Sequence, residues 1–168
     1  MSHAKNKVDW CLRKAVKELE ESGRHRGLVK IKPNKEDAKN HIKKAEHNLN
    51  AAMHFYGTDF SDWSASAFFY SIYHALLAIS YKFGYESENQ DCTFALIYYL
   101  AEESKISFNK ELLNMIATLD IKEKEDKSKE KREFYQYGTK LSIDKEDYNK
   151  LLKISKEVIS EAKEVVEE

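Results

Sequence analysis

The run from Ala65 to Phe83 constrains this chain more than any other part of it. A helix drawn through Trp63 to Phe83 carries apolar side chains on nearly every face, which a helix tolerates only where neighbours cover most of its circumference. Ser66, Ser71, His74, Ser80 and Lys82 interrupt the run. That makes it a poor membrane span, for which about 20 consecutive mostly apolar residues are wanted. The segment is expected to be the central helix of a soluble bundle, with Trp63 and Phe69 among its core residues.

The rest of the chain supplies the partners such a helix needs. With 168 residues, 42% of them hydrophobic, it is long enough to bury a core without disulfides or a structural metal. One domain is expected over 1–168, read as an N-terminal helix and basic loop (1–33), central helices (34–119), a charged connection (120–133) and a C-terminal helical region (134–168). Val8, Cys11, Leu12, Ala15, Val16 and Leu19 recur at helical spacing, and Gly23 supplies a stop. Asn34 with Asp37 three positions later offers a helix start, and Ala38, Ile42, Ala45, Leu49, Ala52, Met53 and Tyr56 form one stripe before Gly57. The short connection GTDFSD predicts that this helix and the central one pack as an antiparallel pair. Gly84 ends the central helix, and a polar loop, ESENQD, is expected after it. Cys92 to Ala101 reads as a fourth helix, and Leu112, Leu113, Met115, Ile116 and Leu119 mark a fifth. The last helix has Asp144 as its N-cap, with Ile143 and Tyr148 spaced as a hydrophobic staple. No alternating strand pattern appears. The fold class is therefore all-α, an up-and-down bundle of about five to six helices.

Charge is balanced overall, with 28 Lys and Arg against 29 Asp and Glu, so the chain is no bulk polycation. Its distribution is uneven. Ser22 to Lys44 holds eight basic and two acidic residues, whereas Asp120 to Glu133 holds six of each. The first stretch is the natural place for a phosphate contact, because Arg and Lys make charge-assisted hydrogen bonds to oxyanions. Arg24, His25, Arg26, Lys30 and Lys32 are its candidate nucleotide- or RNA-binding residues. Cys11 and Cys92 form no CxxC pair and are read as buried thiols in a reducing cytoplasm.

Six histidines are present, yet no two share a helix face at i, i+4 and no HExxH occurs, so neither a metal nor a cofactor is expected. Tyr70, Tyr73 and His74 sit together in the aromatic helix as pocket candidates, with packing the competing role. No Walker motif, glycine-rich phosphate loop or Ser-His-Asp order is found.

Asp62 to Ala78, read DWSASAFFYSIYHALLA, resembles the signature helix of the HEPN (higher eukaryotes and prokaryotes nucleotide-binding) domain. The preceding Ala45-Glu46-His47-Asn48-Leu49, the upstream His25-Arg26-Gly27-Leu28 and the stretch Arg132 to Gly138 are similar to other parts of prokaryotic stand-alone members. The resemblance implies a helical bundle, a homodimer, and a nucleotidyltransferase partner in a toxin–antitoxin pair. It also implies RNA or nucleotide binding. Many members are metal-independent ribonucleases whose motif is an Arg, four to six residues, then a His. Here no arginine has a histidine at that distance, and Tyr137 follows Arg132 where the His would stand. The expectation is a non-catalytic nucleotide or RNA binder. The alternatives are a ribonuclease using Arg132 with Tyr135 or Tyr137, and a plain dimerisation scaffold.

Overall fold

The computed structural model describes residues 2–120 and 135–168. Its elements are α1 (His3–Ser22), β1 (Leu28–Lys30), α2 (Lys35–Tyr56), α3 (Trp63–Lys82), β2 (Tyr85–Ser87), α4 (Gln90–Glu102), α5 (Lys110–Asp120) and α6 (Lys145–Glu167). The fold is all-α, with one small two-stranded sheet. Among the described residues no helix is long and apolar enough to cross a membrane. The Leu119 side chain and the charged connection with Arg132 lie outside the described residues.

Local capping sets the helix ends. Ser2 Oγ accepts from the Lys5 amide at 3.1 Å, and the Gly23 amide closes α1 on the Leu19 carbonyl at 2.9 Å. At the start of α2 the Asp37 amide donates to Asn34 Oδ1 (3.0 Å), the N-cap bond expected from the sequence, while Asn34 Nδ2 donates to Asp37 Oδ2 (2.6 Å). Asp144 starts α6 as expected, its carbonyl accepting from the Tyr148 amide at 2.9 Å, and Ile143 and Tyr148 are both buried.

The chain divides into two compact units. The first comprises Met1–Ile42, Ala75–Phe108 and Ala162–Glu168; the second comprises Lys43–His74 and Asn109–Glu161.

In the first unit two expectations are corrected. Cys11 and Cys92 are not free thiols: a disulfide joins them, tying α1 to α4 across 81 positions at a Cα separation of 5.9 Å. The argument from unpaired cysteines to a reducing compartment falls with it. Sequence spacing hides such a pair, because two helices met only in the folded chain bring the sulfurs together. The second correction is the sheet, in which β1 and β2 run antiparallel with Leu28 opposite Ser87 and Lys30 opposite Tyr85. Three-residue strands are too short to show alternation, so their sequences read as loop. Gly27 brings this sheet against α1, since a Cβ there would lie 2.9 Å from the Cys11 carbonyl oxygen. The carbonyls that end α6 receive Lys82 Nζ, at 3.1 Å from Val165 O and 3.4 Å from Val166 O, and Lys35 Nζ at 3.3 Å from Glu167 O.

The second unit contains the close approach of α2 and α3. Ser64 Oγ donates to Ala52 O and Ser71 Oγ donates to Ala45 O, each at 2.8 Å. Seven residues separate the two donors on α3 and the two acceptors on α2 in opposite order, so the pair is antiparallel, as the short connection requires. Alanines at 45 and 52 leave room for the backbones to meet. Tyr56, Tyr148 and Phe68 then link α2, α6 and α3, with Tyr56 stacked on Tyr148 at 3.6 Å and Phe68 edge-on to Tyr148 at 5.4 Å. Phe68 is completely buried and Phe69 nearly so, whereas Trp63 is 54% exposed. The expected core position of Trp63 is thus wrong: its all-round apolar helix hides which face looks outward.

Candidate functional site

The first unit builds its loop between α1 and β1. Along Arg24-His25-Arg26 burial alternates, with both arginines exposed and His25 only 7% exposed. His25 Nε2 lies 3.2 Å from Glu86 Oε1, and the Gly27 amide donates to His25 Nδ1 at 3.3 Å. With Nδ1 accepting, a neutral ring carries its proton on Nε2 and gives it to Glu86. His25 therefore does not share the outward surface of Arg24 and Arg26.

Those two arginines line an open cleft of about 320 Å3 with Glu18 and Ser22. Into it the Arg26 backbone amide points at Glu18 Oε2, 2.6 Å away. That amide chiefly holds the Glu18 carboxyl below the usual range, against desolvation as the next largest effect and with lesser help from the Lys14 and Arg26 charges. The cleft is thus a place where an oxyanion is stabilised. Lys30 and Lys32 are both exposed beside it in sequence.

Sequence reading missed the residues that surround His25. His25, Glu86 and Glu88 bring one ligand atom each within 4.8 Å of one another, the only such group among the described residues. Tyr81 adds its hydroxyl, 3.5 Å from Glu86 Oε2, and His41 packs against the Tyr81 ring at 4.8 Å between centroids. Burial first, then the charges of Glu86 and Asp37, raise the Tyr81 phenol above its ordinary pKa. Only the Glu-Ser-Glu alternation hinted at this group, and it identifies no partner 61 residues away.

The other candidates belong to the second unit. Tyr70 is 46% exposed, and Tyr73 and His74 are half-buried with ring centroids 6.2 Å apart. Tyr135 is 2% exposed and fully engaged in the fold. Its hydroxyl donates to the carboxylates of Asp147 (2.9 Å) and Asp144 (3.3 Å) as alternative acceptors, and accepts from the Asp144 amide at 3.1 Å. Burial and those two acids raise its pKa far above the ordinary phenol value. Such a group is an organiser of the α6 start and a poor proton shuttle. Tyr137 is 68% exposed, and Arg132 lies outside the described residues, so no geometry joins the two. The small depression beside Tyr135, lined by Asp62, Trp63, Ser66 and Gln136, holds about 20 Å3, too little for a nucleobase.

An all-α chain with a basic cleft and a hydroxyl-tied central helix pair is what these observations define. The family model of the HEPN domain matches residues 38–165, and the chain belongs to that family. The family carries a general link to nucleotides and RNA. No curated protein matches the chain. Because the family match starts at Ala38, the Arg24–Arg26 cleft precedes it and stands on this chain's own geometry.

Proposed function

We propose that this HEPN protein is a non-catalytic binder of RNA or nucleotide phosphate, acting through Arg24 and Arg26 with Lys30 and Lys32 alongside. The observation that carries the reading is the cleft in which the Arg26 amide already holds the chain's own oxyanion, Glu18. An incoming phosphate would replace that carboxylate and gain two guanidinium groups, each a stronger partner for a phosphate than for solvent. Glu18 then acts as an internal competitor.

Fluorescence anisotropy with a labelled single-stranded RNA, and separately with a labelled nucleotide, tests this across a salt series. Binding should weaken as salt rises, and Arg24→Ala with Arg26→Ala should reduce the log–log slope by about 0.7 per lost contact for single-stranded RNA. Glu18→Gln should tighten binding. Unchanged affinity in both variants would remove the cleft from consideration. Incubation of RNA without metal is the second arm: cleavage lost in Arg132→Ala would promote the ribonuclease reading, and neither cleavage nor binding would favour the scaffold.

The proposal includes a homodimer. Trp63 and Tyr70, seven residues apart on α3, leave an aromatic stripe exposed at 54% and 46%, which a second copy would cover. Sedimentation equilibrium should give twice the 19.6 kDa chain mass, and Trp63→Ala with Tyr70→Ala should shift it towards one. A nucleotidyltransferase encoded nearby is the further partner the toxin–antitoxin reading implies, and copurification with it is the corresponding check.

A further inference from the structure

The cluster around His25 has no part in the anion cleft and has the opposite polarity. Its geometry comes from the sheet. Ser87 pairs with Leu28 and is buried, its hydroxyl accepting from Thr93 Oγ1 at 2.8 Å, so Glu86 in β2 and Glu88 just past its end lie on the opposite side from it. The Glu88 amide donates to Gly27 O at 3.0 Å, which extends the pairing by one residue and draws His25, two positions earlier, towards both carboxylates. The frame is firm: Gly27 lies against Cys11, and the Cys11–Cys92 disulfide fixes α1 to the helix that follows β2.

Two carboxylates brought together beside a buried imidazole repel one another and attract a cation. An imidazole nitrogen with carboxylate oxygens suits first-row divalent transition ions, whereas Mg2+ and Ca2+ prefer oxygen alone. We propose that His25 Nε2, Glu86 and Glu88 bind a divalent transition-metal ion of the Zn2+ type, leaving a fourth coordination position open.

Ligand atoms now within 4.8 Å of one another would close to about 3.3 Å around a tetrahedral ion with bonds of about 2.0–2.1 Å. The mobile partners are the right ones, since Glu88 is exposed and Glu86 half-exposed while His25 is held in place. Binding through Nε2 moves the ring proton to Nδ1. The cost is the Gly27 contact, which at 3.3 Å is a long hydrogen bond. Tyr81, near the second Glu86 oxygen, would orient that carboxylate from outside the coordination sphere.

The test is calorimetric titration of the metal-stripped full chain with ZnCl2, with Co2+ absorption as a probe of four-coordinate nitrogen and oxygen ligation. Wild type should take up one ion per chain and melt at higher temperature with Zn2+. Glu88→Gln, at an exposed position that the fold does not need, should weaken binding at least about tenfold and abolish the Zn2+-dependent rise in Tm. His25→Gln should remove stoichiometric binding, with circular dichroism confirming the fold. No uptake by wild type overturns the proposal. So does undiminished uptake by Glu88→Gln, because the ion would then sit on other surface histidines.

Discussion

The two units hold together by different means. In the first, segments far apart in sequence are joined by a disulfide, a short strand pairing and lysines on the last carbonyls of α6. In the second, helices linked by a short connection meet through serine hydroxyls on alanine carbonyls and through a stack of aromatic rings. Nonlocal closure costs chain entropy that a cross-link removes from the unfolded state, whereas the local pair needs only small residues at the right spacing. The difference also sorts polar chemistry: the cross-linked unit holds the titratable cluster, whereas in the other Ser64 and Ser71 are each tied to a backbone carbonyl and Tyr135 to two carboxylates.

The largest expected effect is in the second unit. Phe68→Ala should destabilise the protein by about 3–5 kcal/mol in chemical denaturation, because a fully buried ring leaves a cavity among Tyr148 and its neighbours. Trp63→Ala, five residues earlier on the same helix but 54% exposed, should cost far less in that assay. Equal costs would mean that another chain covers Trp63. In the first unit, Cys11→Ala with Cys92→Ala should lose about 2–4 kcal/mol, a value that the 81-residue separation places towards the upper end. A loss near zero would show that the strand pairing and α1 packing suffice there.

Smaller effects probe the polar groups. Tyr135→Phe removes the hydroxyl that serves Asp144 and Asp147 and should cost about 1–3 kcal/mol, read as a lower denaturation midpoint. His41 supplies a pH test. Burial lowers its pKa below the ordinary value against the pull of Asp37, so the folded ring resists a proton that the unfolded ring accepts. Its share of stability is therefore complete above about pH 6.5 and declines as pH falls below it. His41→Phe keeps a ring against Tyr81 and should flatten the acid limb of stability by up to about 1.4 kcal/mol per pH unit. An unchanged slope would assign that limb to other groups.

What the sequence determined by itself is local or periodic. The all-round apolar run required a largely covered helix, Asn34 with Asp37 and, further on, Asp144 marked helix starts, and GTDFSD forced two neighbours to run antiparallel. Each of these is settled within a few residues, where spacing is geometry. The basic stretch was legible too, as charge, though charge alone does not say that His25 turns inward while Arg24 and Arg26 stay out. Tertiary structure decided the rest. Cys11 met Cys92, Leu28 met Ser87, and His25 met Glu86 and Glu88 only because α1, the sheet and α4 closed on one another. Tyr135, in sequence one alternative partner for Arg132, is an organiser of the α6 start, where two aspartates reach it. The physical reason is common to the first three: contacts across tens of residues depend on which faces the core buries, and a one-dimensional pattern of apolar and polar residues leaves that choice open.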